Sequence, residues 1–91
     1  MPYRVEITPP AERDIRKLDA RVRKQVNRDI LRLEENPRPH GFKKMETKEK
    51  LYRVQVGPGK NYRVVYQIRD EVLLVLVVKV GHRKDVYRQV N

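Results

Sequence analysis

The chain has 91 residues, which is enough for one domain with one hydrophobic core and excludes a second domain of ordinary size. Its 22 lysines and arginines exceed its 12 acidic residues, giving a net charge of +10 at pH 7, which favours a polyanionic partner. The absence of cysteine excludes disulfides and thiolate metal sites. Residues 38–91 hold 13 basic and 5 acidic side chains, against 9 and 7 in residues 1–37, so we expect the binding face in the second half.

The first half of the chain predicts one strand and two helices. YRVEI (3–7) alternates as a strand does, and Thr8 followed by Pro9 indicates a helix start, because threonine caps the first turn and the N–H that proline lacks there would have no partner. Asp19 is the expected N-cap of a second helix, which ends at the prolines of NPRPHGF (36–42). The two helices should form a hairpin with one apolar face.

Three further strands are predicted in the second half. LYRVQV (51–56) and NYRVVYQI (61–68) flank the loop GPGK, and VLLVLVVKV (72–80) is apolar throughout, which predicts an interior strand covered on both faces. The expected fold is therefore a small α+β domain spanning residues 1–91, in βααβββ order. Its helix hairpin packs on one face of a mainly antiparallel sheet.

Period-two alternation divides the two hairpin strands into two faces. One face, expected to pack on the helices, carries Tyr52, Val54, Val56, Tyr62, Val64, Tyr66 and Ile68. The other carries Arg53 and Gln55 beside Arg63, with no acidic residue among them. Two guanidinium groups on one sheet face are more stable with a phosphate between them. The alternation thus predicts a phosphate-binding surface.

The end of the last predicted strand brings further polar residues to this surface. Gly81 is expected to deliver His82 and Arg83 to one end of it, and the tail bearing Tyr87 and Arg88 can fold back across it. Lys50 and Lys84 are near enough in sequence to contribute. Metal-free RNA cleavage needs a base, an acid and cations, and basic side chains with a histidine and a tyrosine can supply them.

The βααβββ order, the segment KLYRVQVGPGKNYRVVYQI and above all VLLVLVVKVGHRKDVYR resemble the RelE/ParE superfamily of bacterial and archaeal toxins, and within it the RelE-like messenger RNA interferases. The resemblance covers essentially the whole chain. It implies the RelE-like microbial ribonuclease fold and a toxin that cleaves messenger RNA in the ribosomal A site without a metal or cofactor. It also implies a cognate RelB-like antitoxin that holds the toxin inactive.

The resemblance implies roles for individual residues. Arg63 and Arg83 would hold the scissile phosphate and Arg53 would act as a supporting clamp, while Tyr87 would donate a proton, bind the phosphate or stack on a base. Gln55 departs from the family, since the best-known member has a lysine there that is proposed as the general base. His82 is then the candidate base or acid. Lys50, Lys84 and Arg88 complete the expected RNA-binding set.

Two other functions remain open. The ParE branch shares the fold but acts on DNA gyrase without catalysis, and it generally lacks the histidine, arginine and tyrosine seen in VGHRKDVY. A basic RNA-binding or ribosome-associated protein would need charge alone. In the toxin hypotheses an acidic or amphipathic antitoxin segment covers the basic face. MPYRVEITPP lacks the apolar stretch of a signal peptide and 72–78 is too short to cross a bilayer, so we expect a cytoplasmic protein with no membrane partner.

Overall fold

The computed structural model describes residues 2–86, so that Tyr87 and Arg88 lie outside the described part of the chain. In chain order the elements are strand β1 (Arg4–Ile7), helix α1 (Pro9–Arg16), helix α2 (Ala20–Leu31), strand β2 (Lys43–Lys44), strand β3 (Tyr52–Val56), strand β4 (Tyr62–Arg69) and strand β5 (Leu74–His82). The predicted βααβββ order is confirmed, with the addition of β2. Within residues 2–86 no helix has the length and apolar character that crossing a membrane requires.

The strands form one sheet in the order β1-β5-β4-β3-β2. β1 runs parallel to β5, and the other neighbours are antiparallel, as the prediction of a mainly antiparallel sheet requires. β5 lies between β1 and β4, which confirms that its continuous apolar run is an interior strand. The polar side chains of β5, Lys79 and His82, lie in its carboxyl half, and Leu76 and Val78 are only partly buried.

Both predicted helix caps are present. Thr8 precedes α1, where its hydroxyl accepts the Ala11 N–H at 3.5 Å and donates to the Val77 carbonyl of β5 at 2.9 Å. The Asp19 carboxylate accepts the Val22 N–H at 3.0 Å and so caps α2. The hydroxyl of Thr8 therefore both starts α1 and ties it to the sheet.

The helices cover one face of the sheet and enclose the main core. Its fully or almost fully buried members include Ala11, Ile15, Val26, Ile30, Leu33, Val54, Val56, Val64, Tyr66, Val75, Val77 and Val80. The predicted helix-facing positions of the hairpin strands are confirmed. Tyr66 is fully buried and its hydroxyl donates to the Pro37 carbonyl at 2.8 Å, while burial raises the pKa of this phenol. We call this side of the sheet the helix face.

The opposite side, which we call the arginine face, carries a smaller core that alternation did not predict. Leu51, Val65 and Val86 are buried there, with Met45 and Val78 packed against them. Val65 lies directly opposite Arg53 in the pairing of β3 with β4, so this apolar cluster lies on the same face as the arginines. Val86 shows that the chain crosses onto this face after β5.

A β-bulge in β5 changes which residues face the helices. Val65 pairs with Lys79 and Tyr66 with Val77, so Val78 has no counterpart on β4. Val75 and Val77 lie in the main core before the bulge, and Val80 does so after it. One extra residue has therefore reversed the alternation in the second half of the strand.

A carboxylate on α1 holds the bulge in place. Asp14 accepts the backbone N–H of Val80 at 3.1 Å and the ammonium group of Lys79 at 3.3 Å. The Asp14 and Lys79 side chains are only 14% and 16% exposed, so this ion pair is shielded from much of the solvent. The register of the end of β5 thus depends on a contact with a helix about 65 residues earlier in the chain.

Candidate phosphate-binding cleft

A cleft of about 260 Å³ lies on the arginine face, toward the β2 edge of the sheet. It is lined by Gly41, Lys43, Arg53, Val54, Gln55 and Arg63. Three of these side chains are cationic and one is an amide. The structure therefore brings together the three residues that strand alternation predicted for this surface, namely Arg53, Gln55 and Arg63.

The strand register explains why these side chains converge. Lys43 stands directly opposite Arg53 in the pairing of β2 with β3, and Gln55 stands directly opposite Arg63 in the pairing of β3 with β4. Residues directly opposite in an antiparallel pair project from the same face, about 5 Å apart at their Cβ atoms. The four side chains thus form two adjacent rows across three strands.

Lys43 was missed from the sequence. It lies on a strand of two residues, Lys43–Lys44, which is too short to show any periodicity. Only the pairing with Arg53 places Lys43 over the cleft. The one available signal was the KK pair itself, in the more basic half of the chain.

Arg63 is held in position by backbone groups of its own hairpin. Its Nη1 donates to the Lys60 carbonyl at 2.8 Å and to the Tyr62 carbonyl at 3.1 Å. The turn that supplies Lys60 is tied to α2, because the Gly57 N–H donates to the Asp29 carboxylate at 2.9 Å. The guanidinium is therefore oriented before any ligand arrives, which is what electrostatic stabilisation requires.

Gly57 is required where the hairpin turn begins. Its φ of +79° is in the region that favours glycine, and a Cβ there would lie 2.9 Å from Cδ1 of Tyr62 and 3.2 Å from Cγ2 of Val26. A side chain at this position would push the turn away from α2. The backbone carbonyl that positions Arg63 would move with it.

His82 does not lie on the arginine face, contrary to the sequence-based expectation. It pairs with Tyr62 on the helix face, with the two ring centroids 5.4 Å apart and the rings at 82°. The residue opposite Arg63 is Gly81, which has no side chain. The prediction was wrong because the bulge at Val78 adds one residue to β5, and without it His82 would project beside the arginines.

The remaining predicted site residues have different positions. Arg83 and Lys84 are exposed in the turn after β5, and the Arg83 N–H donates to the Asn61 carbonyl at 2.8 Å, close to the hairpin that carries Arg63. Lys50 is also exposed but lines a separate depression with Tyr52 and Gln67. The positions of Tyr87 and Arg88 stay predictions, since they lie outside the described residues.

The cleft has the chemistry of an anion site. Lysine and arginine stabilise negative charge, and the amide of Gln55 donates or accepts a hydrogen bond without taking up a proton at neutral pH. None of the described residues that line it carries a carboxylate or an imidazole. Among residues 2–86 there is also no group of three or more histidine, aspartate or glutamate side chains placed to hold a metal ion.

Comparisons of the sequence with a family model and with known proteins all point to toxins of one superfamily. Residues 5–87 match the model of the family described as "ParE toxin of type II toxin-antitoxin system, parDE". The chain is 31% identical over 84 residues to the mRNA interferase toxin RelE of Escherichia coli, covering 92% of this chain and 86% of that one. It is 33% identical over 93 residues to Toxin RelG of Mycobacterium tuberculosis, covering 98% and 100%.

The fold agrees with these relationships. The toxin–antitoxin complex RelBE2 of Mycobacterium tuberculosis contains a chain that superposes with a TM-score of 0.73 at 27% identity, covering 91% of this chain and 100% of that one. A small α+β toxin fold with a basic cleft on its sheet is thus the class that the structure defines. The chain belongs to the RelE/ParE superfamily of type II toxin–antitoxin toxins.

Proposed function

We propose that this chain is the toxin of a type II toxin–antitoxin system and acts as an mRNA interferase, an endoribonuclease that cuts messenger RNA in the ribosomal A site. The observation that carries the proposal is the convergence of Lys43, Arg53 and Arg63 in one cleft. The proposal is also supported by a relative, because most of the chain is similar to a toxin that is named as an mRNA interferase.

The proposed reaction is a transesterification within the RNA, so that it consumes neither water nor a cofactor. The 2′ oxygen attacks the adjacent phosphorus, the bond from phosphorus to the 5′ oxygen breaks, and the products are a 2′,3′-cyclic phosphate and a 5′ hydroxyl. A base takes the proton of the 2′ hydroxyl and an acid supplies one to the leaving oxygen. Lys43, Arg53 and Arg63 stabilise the charge that develops on the phosphate oxygens, and the need for a 2′ hydroxyl selects RNA over DNA.

The proton-transfer groups lie outside the cleft in this proposal. Gln55 stands opposite Arg63, where it can hydrogen-bond the RNA but cannot act as a base. We assign Arg83 to the phosphate and Tyr87 to the leaving group or to stacking on a base, while Lys84 and Arg88 contact the RNA backbone. Because the described lining of the cleft stabilises charge but contains no base, we expect naked RNA to be cut slowly, and we propose that cleavage depends on the ribosome.

The proposed physiological partner, besides the ribosome and its messenger, is a cognate antitoxin. The related toxin of RelBE2 was solved in a complex with its antitoxin. A net charge of +10 and a cleft lined by three cations favour an acidic or amphipathic segment as the inhibitor. Such a segment would neutralise the cleft and block the phosphate.

The direct test compares messenger-programmed ribosomes with naked RNA. Primer extension should map a cut within the A-site codon in the presence of wild-type protein, and cutting of the same RNA without ribosomes should be much slower. The Arg63→Ala variant should lose at least about 10²-fold in cleavage rate, as loss of a positioned charge commonly does. Translation arrest without any cut, equal in wild type and Arg63→Ala, would contradict the proposal.

The alternative is the ParE-like function that the sequence left open, a non-catalytic toxin that acts on DNA gyrase. A gyrase supercoiling assay separates the two functions. Inhibition of supercoiling at a protein concentration that leaves programmed ribosomes intact would favour the ParE-like function. Cleavage in the A site with unaffected gyrase would favour the interferase.

A further inference from the structure

The turn after β5 is held by three successive backbone N–H groups. The Arg83 N–H donates to the Asn61 carbonyl at 2.8 Å and the Asp85 N–H to the His82 carbonyl at 2.9 Å. Between them, the Lys84 N–H donates to Nδ1 of the His82 ring at 3.2 Å. Of these three bonds, only the middle one depends on a side chain, and that side chain is His82.

The ring of His82 also packs against an aromatic ring of β4. It lies half-buried against Tyr62 at the start of β4, with its ring nearly perpendicular to the phenol ring. A neutral imidazole that accepts through Nδ1 carries its hydrogen on Nε2. The Nδ1 lone pair is therefore already engaged inside the protein, and the ring lies on the face of the sheet opposite to Arg63.

The turn determines where the chain goes next. Val86 is buried on the arginine face, where it packs close to Gly81, and a Cβ at Gly81 would be 3.4 Å from Cβ of Val86. Arg83 emerges within the same turn, beside the hairpin that positions Arg63. The bond between His82 and Lys84 thus closes the turn in which Arg83 lies, directly after β5.

We propose that His82 is a positioning residue that acts through Nδ1, holding the turn that presents Arg83, and that it does not take a proton from the RNA. An acceptor two residues before the donated N–H is the geometry that an aspartate or asparagine makes in an Asx-turn. The imidazole of His82 accepts the Lys84 N–H in the same way, and its ring also packs on Tyr62. The proposal rests on the proposed function only where it assigns Arg83 to the phosphate.

Three substitutions of His82 separate positioning from proton transfer. His82→Asn keeps an acceptor oxygen at the place of Nδ1 but has no group that titrates near neutral pH. His82→Gln places its amide near the position of Nε2 instead, and His82→Ala has no polar group at either position. A positioning role predicts that His82→Asn keeps A-site cleavage within about threefold of wild type. His82→Gln and His82→Ala should each lose roughly 10- to 100-fold, as small misplacements of a reacting group do.

His40 supplies the matched control, since it is exposed in the loop after α2. His40→Ala removes a histidine without touching the turn and should cleave as wild type does. If His82→Asn is as inactive as His82→Ala while its Lys84 N–H stays protected, the positioning proposal is overturned and a base or acid role is favoured.

A second readout does not need catalysis. Amide hydrogen exchange and the ¹⁵N-resolved shift of the Lys84 N–H should match wild type in His82→Asn, and should show faster exchange in His82→Ala and His82→Gln. Equal protection of this N–H in wild type and His82→Ala would overturn the proposal. If wild-type protein cuts no messenger at all, the proposed function fails, whereas the Lys84 exchange comparison still decides whether His82 holds the turn.

Discussion

Lys43 and Arg53 stand directly opposite each other on β2 and β3, so that two cations project side by side from the arginine face. Like charges at facing positions of an antiparallel pair destabilise the sheet. Both side chains line the cleft that Arg63 also borders. We expect this arrangement of cations to favour binding of a phosphate diester.

Removing one of these charges should therefore have opposite effects on stability and function. Lys43→Met is expected to leave the free energy of unfolding unchanged or to raise it by up to about 0.5 kcal/mol at low salt. A-site cleavage should fall about tenfold or more, because one charge that stabilises the phosphate is lost. Urea unfolding and primer extension measure the two effects on the same protein.

Lys44 provides the control for net charge. It neighbours Lys43 on β2 but pairs with Tyr52, and it does not line the cleft. Lys44→Met should keep most of the cleavage rate. Equal losses in the two variants would show that overall charge, and not the cleft, determines activity.

Arg63 should not be replaceable by lysine. Its guanidinium donates to two backbone carbonyls, those of Lys60 and Tyr62, and still borders the cleft. A lysine has a single ammonium group and cannot keep this orientation, so Arg63→Lys should lose about tenfold in single-turnover cleavage and Arg63→Ala at least about 10²-fold. Arg13→Ala, on the exposed surface of α1, should remain near wild type.

Asp14 should be the most sensitive acid of α1 for stability. Asp14→Ala leaves the N–H of buried Val80 without this acceptor and removes the ion pair with Lys79. We expect a loss of about 2 kcal/mol in the free energy of unfolding, the usual cost of leaving buried polar groups without a partner. Urea unfolding measures it, and Glu12→Ala, which breaks an exposed pair with Arg16, should cost less than about 0.5 kcal/mol.

Acid should weaken the contact that ties the start of the chain to the turn before β5. Asp70 accepts hydrogen bonds from Arg38 at 2.7 and 3.2 Å and from the Tyr3 hydroxyl at 2.5 Å, and these bonds lower the pKa of Asp70 below its ordinary value of 3.8. Because the pKa is lower in the folded protein, the contribution to stability is present above pH 3.8 and is lost as the pH falls through the folded value.

The measurement is the melting temperature of wild type and Asp70→Asn as a function of pH. Wild type should be the more stable above the ordinary carboxylate pKa of 3.8, and the difference should shrink as the pH falls below it. Glu71→Gln, the same change of charge in the same turn, should retain the wild-type dependence. A constant difference at all pH values would show that the carboxylate of Asp70 is not the group responsible.

Strand alternation predicted much of the sheet correctly because one face of β3 and β4 is apolar or aromatic throughout, whereas the other is mostly polar. Val54, Val64 and Tyr66 lie in the main core, as their spacing indicated, while Arg53 and Arg63 project to the other side. The helix caps were equally visible, since hydroxyl and carboxylate caps act on backbone groups only three residues away. These features are local, and local sequence suffices to predict them.

The features that were missed depend on distant contacts. Every residue of the run 72–78 is apolar, so inserting Val78 as a bulge leaves no trace in the pattern, although it moves His82 to the helix face. Lys43 enters the cleft only because β2 pairs with β3. Neither position has a periodic signal that could have revealed it.

The sequence by itself determined the family, the order of the elements and the cationic character of one sheet face, because caps, alternation and charge act over a few residues. The tertiary structure alone decided that Lys43 joins that face and that His82 lies on the other one. Asp14 holds the bulge in β5 from a helix at the other end of the chain, and a single extra residue reverses every side chain after it. Arg63 therefore faces a glycine across the strands, and the histidine holds the turn from the other side.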